Sequence, residues 1–161
     1  MSAPATPLSI LLVEDNPRHA ELIRDELETE IPGAAVTLAG GVVESREAMA
    51  GRAFDVVLLD FRLPDGDGLE ILREMRAAGR TEPIVFVTTQ ASAATAVEAM
   101  KLGAADYVVK EEGYLAIVPF VVRDVLERTR LRREREELER RLSAPRVRPP
   151  CTSSRPGSRT T

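Results

Sequence analysis

The feature that most constrains the fold is a short apolar run that ends on an acid and is followed at once by a turn. The run extends from Val56 to Leu59, Asp60 follows it directly, and Pro64 and Gly66 then turn the chain. Such runs are typical of strands that are buried on both faces of a parallel sheet. An acid at the carboxyl end of such a strand lies where open α/β sheets bind ligands. We therefore interpret Asp60 as a nucleophile that accepts a phosphoryl group.

Composition excludes several classes of protein. Of the 161 residues, 43% are hydrophobic, which suits one domain with a normal core plus an appendage. No stretch approaches roughly 18 consecutive apolar residues, so we expect no transmembrane helix. Residues 1–7 lack the charged and apolar regions of a signal peptide. The single cysteine, Cys151, has no internal partner, which fits a reducing compartment. We expect a cytoplasmic protein that binds no membrane.

Charge is distributed unevenly along the chain. Four of the 22 basic residues and none of the 26 acids lie in residues 143–161, so residues 1–142 carry a net charge of -8. A domain this acidic is a poor candidate for binding nucleic acid through its own surface, and we expect no nucleic-acid partner. The Pro, Arg and Ser content of residues 143–161 predicts a disordered tail.

Five apolar runs alternate with helical patterns. The predicted strands are Leu8 to Val13, Ala35 to Leu38, Asp55 to Asp60, Pro83 to Thr88 and Ala105 to Val109. The predicted helices run from Pro17 to about Glu30, from about Val43 to Ala50, from the cap Asp67 to Gly79, from about Ser92 to Leu102, and from Tyr114 to about Leu142. Strands that alternate with helices form a parallel sheet covered on both faces, so the pattern predicts an α/β, doubly wound fold.

The last helix has two different halves. The first half has an apolar face that we expect to cover the sheet: Ile117, Val118, Val121, Val122 and Val125. Because proline is tolerated only near the start of a helix, an alternative start lies near Pro119. The second half is almost all charge, and Glu136–Arg140 and Glu137–Arg141 have the favourable four-residue order, worth roughly 0.2–0.5 kcal/mol each.

The charged half also carries an incomplete heptad seam. Its leucines are Leu131, Leu138 and Leu142, and Arg128 and Arg135 interrupt it. A solvated helix and a weak homodimer or signalling linker are equally consistent with this pattern.

Polar groups follow four of the five predicted strands. Glu14 and Asp15 follow the first strand, Asp60 ends the third, Thr88 ends the fourth and Lys110 follows the fifth. Two carboxylates suit Mg²⁺, which usually takes one or two of them together with phosphate oxygens, and Glu14 is placed to hold a metal-bound water. Lys110 offers a positive charge and Thr88 a hydroxyl donor to a phosphate. His19 has no partner that the sequence reveals, and we interpret it as a surface residue.

From about Leu8 to Leu126 the chain resembles the receiver domain of two-component response regulators. The motifs that carry the resemblance are Ile10-Leu-Leu-Val-Glu-Asp-Asn16, Val57-Leu-Leu-Asp-Phe-Arg-Leu-Pro-Asp-Gly-Asp-Gly68, Pro83-Ile-Val-Phe-Val-Thr88 and Gly103-Ala-Ala-Asp-Tyr-Val-Val-Lys110. The resemblance implies a flavodoxin-like, five-stranded (βα)5 sheet with an extended C-terminal helix. It also implies phosphorylation of Asp60 by a sensor histidine kinase or a phosphotransfer protein.

The resemblance assigns roles to individual residues. Asp15 and Asp60 would bind Mg²⁺ directly and Glu14 through water, with the backbone carbonyl of Arg62 as a further ligand. Thr88 and Lys110 would contact the phosphoryl group. Tyr107 would act with Thr88 as an aromatic switch. Arg62 and Gln90 would tune the lifetime of the phosphoryl group.

One position departs from the family pattern. The family usually has proline after the lysine, often with a cis peptide bond, and this chain has Glu111. A cis bond to a residue other than proline costs roughly 2.5–4 kcal/mol, so either this bond is trans or the loop is strained.

These patterns define an expected domain organisation and an expected output. We expect an N-terminal extension (1–7), a receiver domain (8–126), a charged helical extension (127–142) and the disordered tail (143–161). The signal would pass to a protein target through the fourth helix, the fifth strand and the last helix, without a DNA-binding output domain. The protein would not be an enzyme beyond self-catalysed phosphoryl transfer and autodephosphorylation.

Two other functions remain open at this point. The first is a module of the same fold that signals without phosphorylation. The second is a Mg²⁺-dependent phosphatase with an Asp nucleophile, but such enzymes generally carry a second Asp two residues later, where this chain has Arg62. A nucleotide-binding protein is excluded because no Gly-rich loop follows the first strand.

Overall fold

The computed structural model describes residues 7–89 and 92–143. Its strands are β1 (Leu8–Val13), β2 (Ala34–Ala39), β3 (Val56–Leu59), β4 (Arg62–Leu63), β5 (Gly66–Asp67), β6 (Ile84–Thr88) and β7 (Asp106–Val109). Its helices are α1 (Pro17–Glu30), α2 (Val42–Met49), α3 (Gly68–Ala77), α4 (Ala93–Lys101) and α5 (Tyr114–Ser143). All five predicted strands and all five predicted helices are present, with small shifts at their ends.

Five of the strands form one parallel sheet in the order β2-β1-β3-β6-β7. This arrangement confirms the predicted flavodoxin-like α/β fold. The strand order reverses between β1 and β3, and the crevice beyond the carboxyl ends of strands at such a reversal is where doubly wound sheets bind ligands. The chain therefore places the residues after β1 and β3 at the expected site.

The sheet separates two apolar cores. Successive side chains of a strand point to opposite faces, so β3 contributes Val57 and Leu59 to one core and Val56 and Leu58 to the other. The first core lies under α2, α3 and α4, and the second lies under α1 and α5. All four residues of β3 are fully buried, which confirms that this run is a strand covered on both faces.

Two acids hold loops in place, Asp65 beyond the carboxyl ends of the strands and Glu82 before their amino ends. The carboxylate of Asp65 accepts hydrogen bonds from the backbone N–H groups of Val42 (2.7 Å) and Val43 (3.0 Å) at the start of α2, and these bonds lower the pKa of Asp65. At the amino ends, buried Glu82 accepts from the Phe54 N–H at 3.0 Å and from the Arg80 guanidinium at 2.7 and 2.9 Å. The first contact ties the loop after Asp60 to α2.

The turn after Asp60 contains a short antiparallel hairpin of β4 and β5, which the sequence did not reveal as strands. Strands of two residues carry no detectable alternation, so only the turn residues were visible. Gly68 follows the hairpin, and a Cβ atom added there would lie 2.3 Å from the carbonyl oxygen of Asp60. This position requires glycine because the backbones approach so closely.

The first part of α5 differs from the prediction in two respects. The helix begins at Tyr114, so the alternative start near Pro119 is wrong; Pro119 is buried within the second turn. Ile117 is 44% exposed and does not belong to the face that covers the sheet. The buried face is formed instead by Val118, Pro119, Val122, Val125 and Thr129.

The described residues fall into two units, one ending at Thr129 and the other starting at Arg130. In the second unit Arg141 pairs with Glu137 at 3.3 Å, as predicted, but Glu136 pairs with Arg132 at 3.9 Å and not with Arg140. The seam leucines Leu131, Leu138 and Leu142 are 51%, 58% and 83% exposed.

Of the predicted tail, only Ser143 lies within the described residues, and of residues 1–7 only Pro7. None of the described helices has the length and apolar character needed to cross a membrane.

Candidate functional site

Backbone hydrogen bonds bring the ends of four strands together. The Asp60 N–H donates to the carbonyl of Val13 at 3.1 Å, which links the end of β3 to the end of β1. The Lys110 N–H donates to the carbonyl of Thr88 at 2.7 Å, which links the end of β7 to the end of β6. The four groups that the sequence places after separate strands therefore share one edge of the sheet.

Three carboxylates form the acidic part of this edge. Glu14, Asp15 and Asp60 each offer an oxygen atom, and these oxygens lie within 4.8 Å of one another. Glu14 and Asp60 are buried, with 5% and 8% of their surface exposed, whereas Asp15 is exposed. An octahedral Mg²⁺ with bonds of about 2.1 Å places its ligand oxygens roughly 3 to 4.2 Å apart. The three residues fit a hard divalent cation held partly by water.

Lys110 lies beside two of these acids. Its side chain is only 3% exposed, and its Nζ atom pairs with Glu14 Oε2 and, at 3.2 Å, with Asp60 Oδ2. Burial alone would lower the pKa of Lys110, but the bonds to Glu14 and the charges of both acids outweigh it and hold the pKa above its usual value. For Glu14 the effect of burial has the opposite sign: it raises the pKa of the carboxyl group, and this outweighs the contact with Lys110, which lowers it.

The peptide bond between Lys110 and Glu111 is trans, since no cis peptide bond occurs among residues 7–89 and 92–143. Of the two alternatives set by the missing proline, the trans bond is therefore the one adopted. Lys110 nevertheless reaches the acids. The formal charges of the three carboxylates and the one ammonium add up to two negative charges. One divalent cation would balance them.

The two predicted switch residues, Thr88 and Tyr107, lie near an aromatic stack. Thr88 is fully buried at the end of β6. Tyr107 on β7 is half-buried, and its ring packs against Phe61, the residue after Asp60, with ring centroids 5.6 Å apart. Phe61 in turn stacks on Phe86 at 4.3 Å and an angle of 8°. Burial, and to a smaller extent the charge of Asp60, raises the pKa of Tyr107. Tyr107 was predicted from the sequence, but the aromatic stack that joins it to the residue after Asp60 was not.

Of the two residues predicted to tune the phosphoryl lifetime, the structure describes only Arg62. The side chain of Arg62 is exposed at the start of the hairpin, and its N–H lies 3.4 Å from Asp60 Oδ1. Gln90 lies outside the described residues. The roles of Arg62, including its carbonyl as a metal ligand, stay predictions.

His19 is the site residue that the sequence analysis missed. It is half-buried, and its Nδ1 atom lies 3.3 Å from Lys110 Nζ, so its interpretation as a surface residue without a partner was wrong. Burial, and then the charge of Lys110, lowers the pKa of His19. No local pattern marks this contact, because His19 and Lys110 are 91 positions apart in the sequence.

The family model of the response regulator receiver domain matches residues 10–118. YkoG of Bacillus subtilis (strain 168), an uncharacterized transcriptional regulatory protein, is 36% identical over 121 residues, which are 75% of this chain and 49% of that protein. The transcriptional regulatory protein DltR of Streptococcus agalactiae serotype III (strain NEM316) is 35% identical over 133 residues, which are 83% and 55% of the two chains.

A solved structure is similar as well. The non-phosphorylated HemR receiver domain from Leptospira biflexa matches with a TM-score of 0.67 and 31% identity, and the match covers 75% of this chain and 94% of that one. The chain thus corresponds to nearly all of an isolated receiver domain, but it spans only about half the length of YkoG and DltR.

Proposed function

The chain belongs to the response regulator receiver domain family, and on that premise we propose that it accepts a phosphoryl group on Asp60 from a histidine kinase or a phosphotransfer protein. One observation carries the proposal: the buried carboxylate of Asp60 follows the central strand, beside Glu14 and Asp15 and 3.2 Å from the ammonium of Lys110. In the transfer, an Asp60 oxygen bonds to phosphorus while the bond from phosphorus to the donor imidazole nitrogen breaks.

The acidic cluster would hold Mg²⁺, with Asp15 and Asp60 as direct ligands and Glu14 acting through water. When bound, the ion neutralises charge on the phosphoryl oxygens and on the carboxylate that attacks. Lys110 would donate to one phosphoryl oxygen and the Thr88 hydroxyl to another. The chain would act on itself alone, by taking up and later hydrolysing its own phosphoryl group, and not as an enzyme with a separate substrate.

The modification would become a signal through several contacts acting together. Moving a two-state population from 1:99 to 99:1 needs roughly 5.5 kcal/mol of preference. A charge-assisted hydrogen bond contributes roughly 1.5–3 kcal/mol, so the Thr88 contact alone is too weak. The Lys110 contact and the metal ion must contribute as well. Because Tyr107 packs against Phe61, a movement of Thr88 and Asp60 would change the space available to its ring.

The output surface would be the face formed by α4, β7 and the first part of α5. Val97 and Met100 on α4 are 52% and 48% exposed, and Phe120 on α5 is 71% exposed. These exposed apolar side chains would contact the protein partner. In the second unit, the exposed seam leucines support a weak homodimer as an additional contact. YkoG and DltR are named transcriptional regulatory proteins, and this chain spans only about half of each, so signalling without a DNA-binding output stays a prediction.

Incubation with a small phosphodonor and Mg²⁺ tests this function. We expect the intact mass of the wild-type chain to increase by one phosphoryl group, and the Asp60→Asn variant to show no increase. An increase in both proteins would place the acceptor at another residue. An increase in neither, with correctly folded protein, would favour a module that signals without phosphorylation.

A further inference from the structure

The ammonium of Lys110 has three hydrogen-bond acceptors. Two are the carboxylates of Glu14 and Asp60, and the third is Nδ1 of His19 at 3.3 Å. An ammonium carries three N–H donors and no acceptor, so the imidazole must accept at Nδ1 and carry its proton on Nε2. With a side chain only 3% exposed, Lys110 would have an unsatisfied donor if His19 were removed.

We propose that His19 is a positioning residue for phosphoryl transfer, which holds the ammonium of Lys110 at the phosphoryl site through Nδ1. The proposal rests on the proposed function, because it concerns the lysine that would contact the phosphoryl group. His19 would act through Lys110, which its Nδ1 atom contacts, and not on the phosphoryl group itself.

The need for such a residue follows from the chemistry of lysine. The backbone of Lys110 is fixed by its bond to Thr88, but the ammonium sits on a flexible four-carbon stem, so its position depends on its acceptors. Glu14 follows β1, Asp60 follows β3 and His19 lies on α1, so the three acceptors come from three parts of the fold. With His19 as the third acceptor, the ammonium has less freedom to move away from Asp60.

The neutral character of the third acceptor is also important. Hydrogen bonds to a carboxylate are roughly twice as strong as those to a neutral acceptor, so a third acid would compete with the phosphoryl group for Lys110. A neutral imidazole leaves the ammonium positioned and still able to donate to the phosphoryl oxygen. The charged groups that face His19 are Lys110, Asp60, Asp15 and Arg18, and their opposing effects on the ring partly cancel.

Nitrogen NMR tests the contact directly, because His19 is the only histidine of the chain and a protein without a histidine tag gives one imidazole signal. We expect the neutral ring to be protonated at Nε2 and not at Nδ1. In the Lys110→Met variant we expect the pKa of His19 to rise, since a neighbouring positive charge is removed. A ring protonated at Nδ1, or a pKa that Lys110→Met leaves unchanged, would overturn the proposal without reference to phosphorylation.

Three variants test the consequence for the reaction. The side-chain oxygen of Asn occupies nearly the same place as Nδ1, whereas Leu has no acceptor and Gln places its oxygen near Nε2. We expect His19→Leu and His19→Gln to lower the rate constant for labelling of Asp60 by about 3- to 10-fold, the loss that corresponds to one neutral hydrogen bond. His19→Asn should restore most of the rate. Leu22→Asn, at an exposed position of α1, is the control and should label like the wild type.

The outcomes separate the two proposals. Equal rates for the Leu, Gln and Asn variants would show that His19 does not position Lys110, even if Asp60 is labelled normally. If the wild-type chain were not labelled at all, the proposed function would fail, and the NMR result would still decide whether His19 holds Lys110.

Discussion

Replacement of Lys110 by methionine should destabilise the protein strongly when Mg²⁺ is absent. The side chains of Lys110 and Glu14 are 3% and 2% exposed, so their ion pair is shielded from water. Removal of one partner from a buried pair costs about 3–5 kcal/mol, because the other charge is left buried and uncompensated. Here Lys110→Met would leave two buried carboxylates, Glu14 and Asp60, beside exposed Asp15. We therefore expect a loss of about 3–5 kcal/mol in the free energy of unfolding.

Magnesium and a second substitution should each restore part of that stability. A ligand at about 100 times its dissociation constant adds about 2.7 kcal/mol to the free energy of unfolding. Since the Lys110→Met site carries one more uncompensated negative charge, Mg²⁺ should bind it more tightly than the wild-type site. The double variant Glu14→Gln and Lys110→Met removes both charges of the pair, so it should be more stable than Lys110→Met alone by more than about 1 kcal/mol.

Urea unfolding followed by circular dichroism, with and without Mg²⁺, provides these free energies. The wild type, both single variants and the double variant form a double-mutant cycle that isolates the coupling between Glu14 and Lys110. A loss of less than about 1 kcal/mol for Lys110→Met would refute the reasoning, because that is the range of exposed ion pairs. A double variant that is less stable than Lys110→Met would refute it as well.

Three further substitutions test separate parts of the structure. Glu82→Gln should cost about 1.5–3 kcal/mol near pH 7 in urea unfolding, since it weakens charge-assisted bonds to Arg80 and the Phe54 N–H. Burial opposes these bonds, but they still lower the pKa of Glu82, so the stability that they provide is present above about pH 4.5 and is lost as the pH falls through the folded-state pKa. Gly68→Ala should cost about 1–3 kcal/mol and slow labelling of Asp60, since the new Cβ atom would lie 2.3 Å from the Asp60 carbonyl oxygen. Tyr107→Ala should leave Mg²⁺-dependent labelling intact and abolish binding of the protein partner.

Each of these predictions has its own control or contradictory result. For Glu82→Gln, a stability difference from the wild type that stays constant from pH 7 down to pH 3 would contradict the ionic account. Gly40→Ala is the control for Gly68→Ala, because its Cβ atom would meet only the flexible Glu44 side chain, at 3.4 Å, and we expect little change. Loss of labelling in Tyr107→Ala would contradict the switch role.

The fold and the acidic cluster followed from the sequence because their signals are local. Residues 56–59 are apolar without alternation, and β3 is buried on both faces; Asn16 and Pro17 begin α1 as predicted. Since parallel strands end at the same edge of a sheet, the acids after β1 and β3 could be placed together without knowledge of any side-chain contact.

Other contacts depend on side chains from distant parts of the chain, and no local pattern encodes them. His19 and Lys110 are 91 positions apart, and only the packing of α1 against the sheet brings them together. The aromatic stack of Phe61 and Phe86 likewise joins two strands that are separate in sequence. Ile117 was misassigned because the buried residues Val118, Val122 and Val125 recur at three- and four-residue spacing, and Ile117 lies about 100° from Val118 around the helix axis.

The rate of Asp60 labelling as a function of Mg²⁺ concentration tests the central claim most directly. The claim is that a divalent cation and one ammonium together allow an anionic carboxylate to accept an anionic group. We predict that labelling of the wild type rises with Mg²⁺ to a plateau, that Asp15→Asn shifts the rise to higher concentration, and that Lys110→Met lowers the plateau. Labelling of Asp60 at full rate in the presence of a chelator, or rates unaffected by both substitutions, would contradict the account.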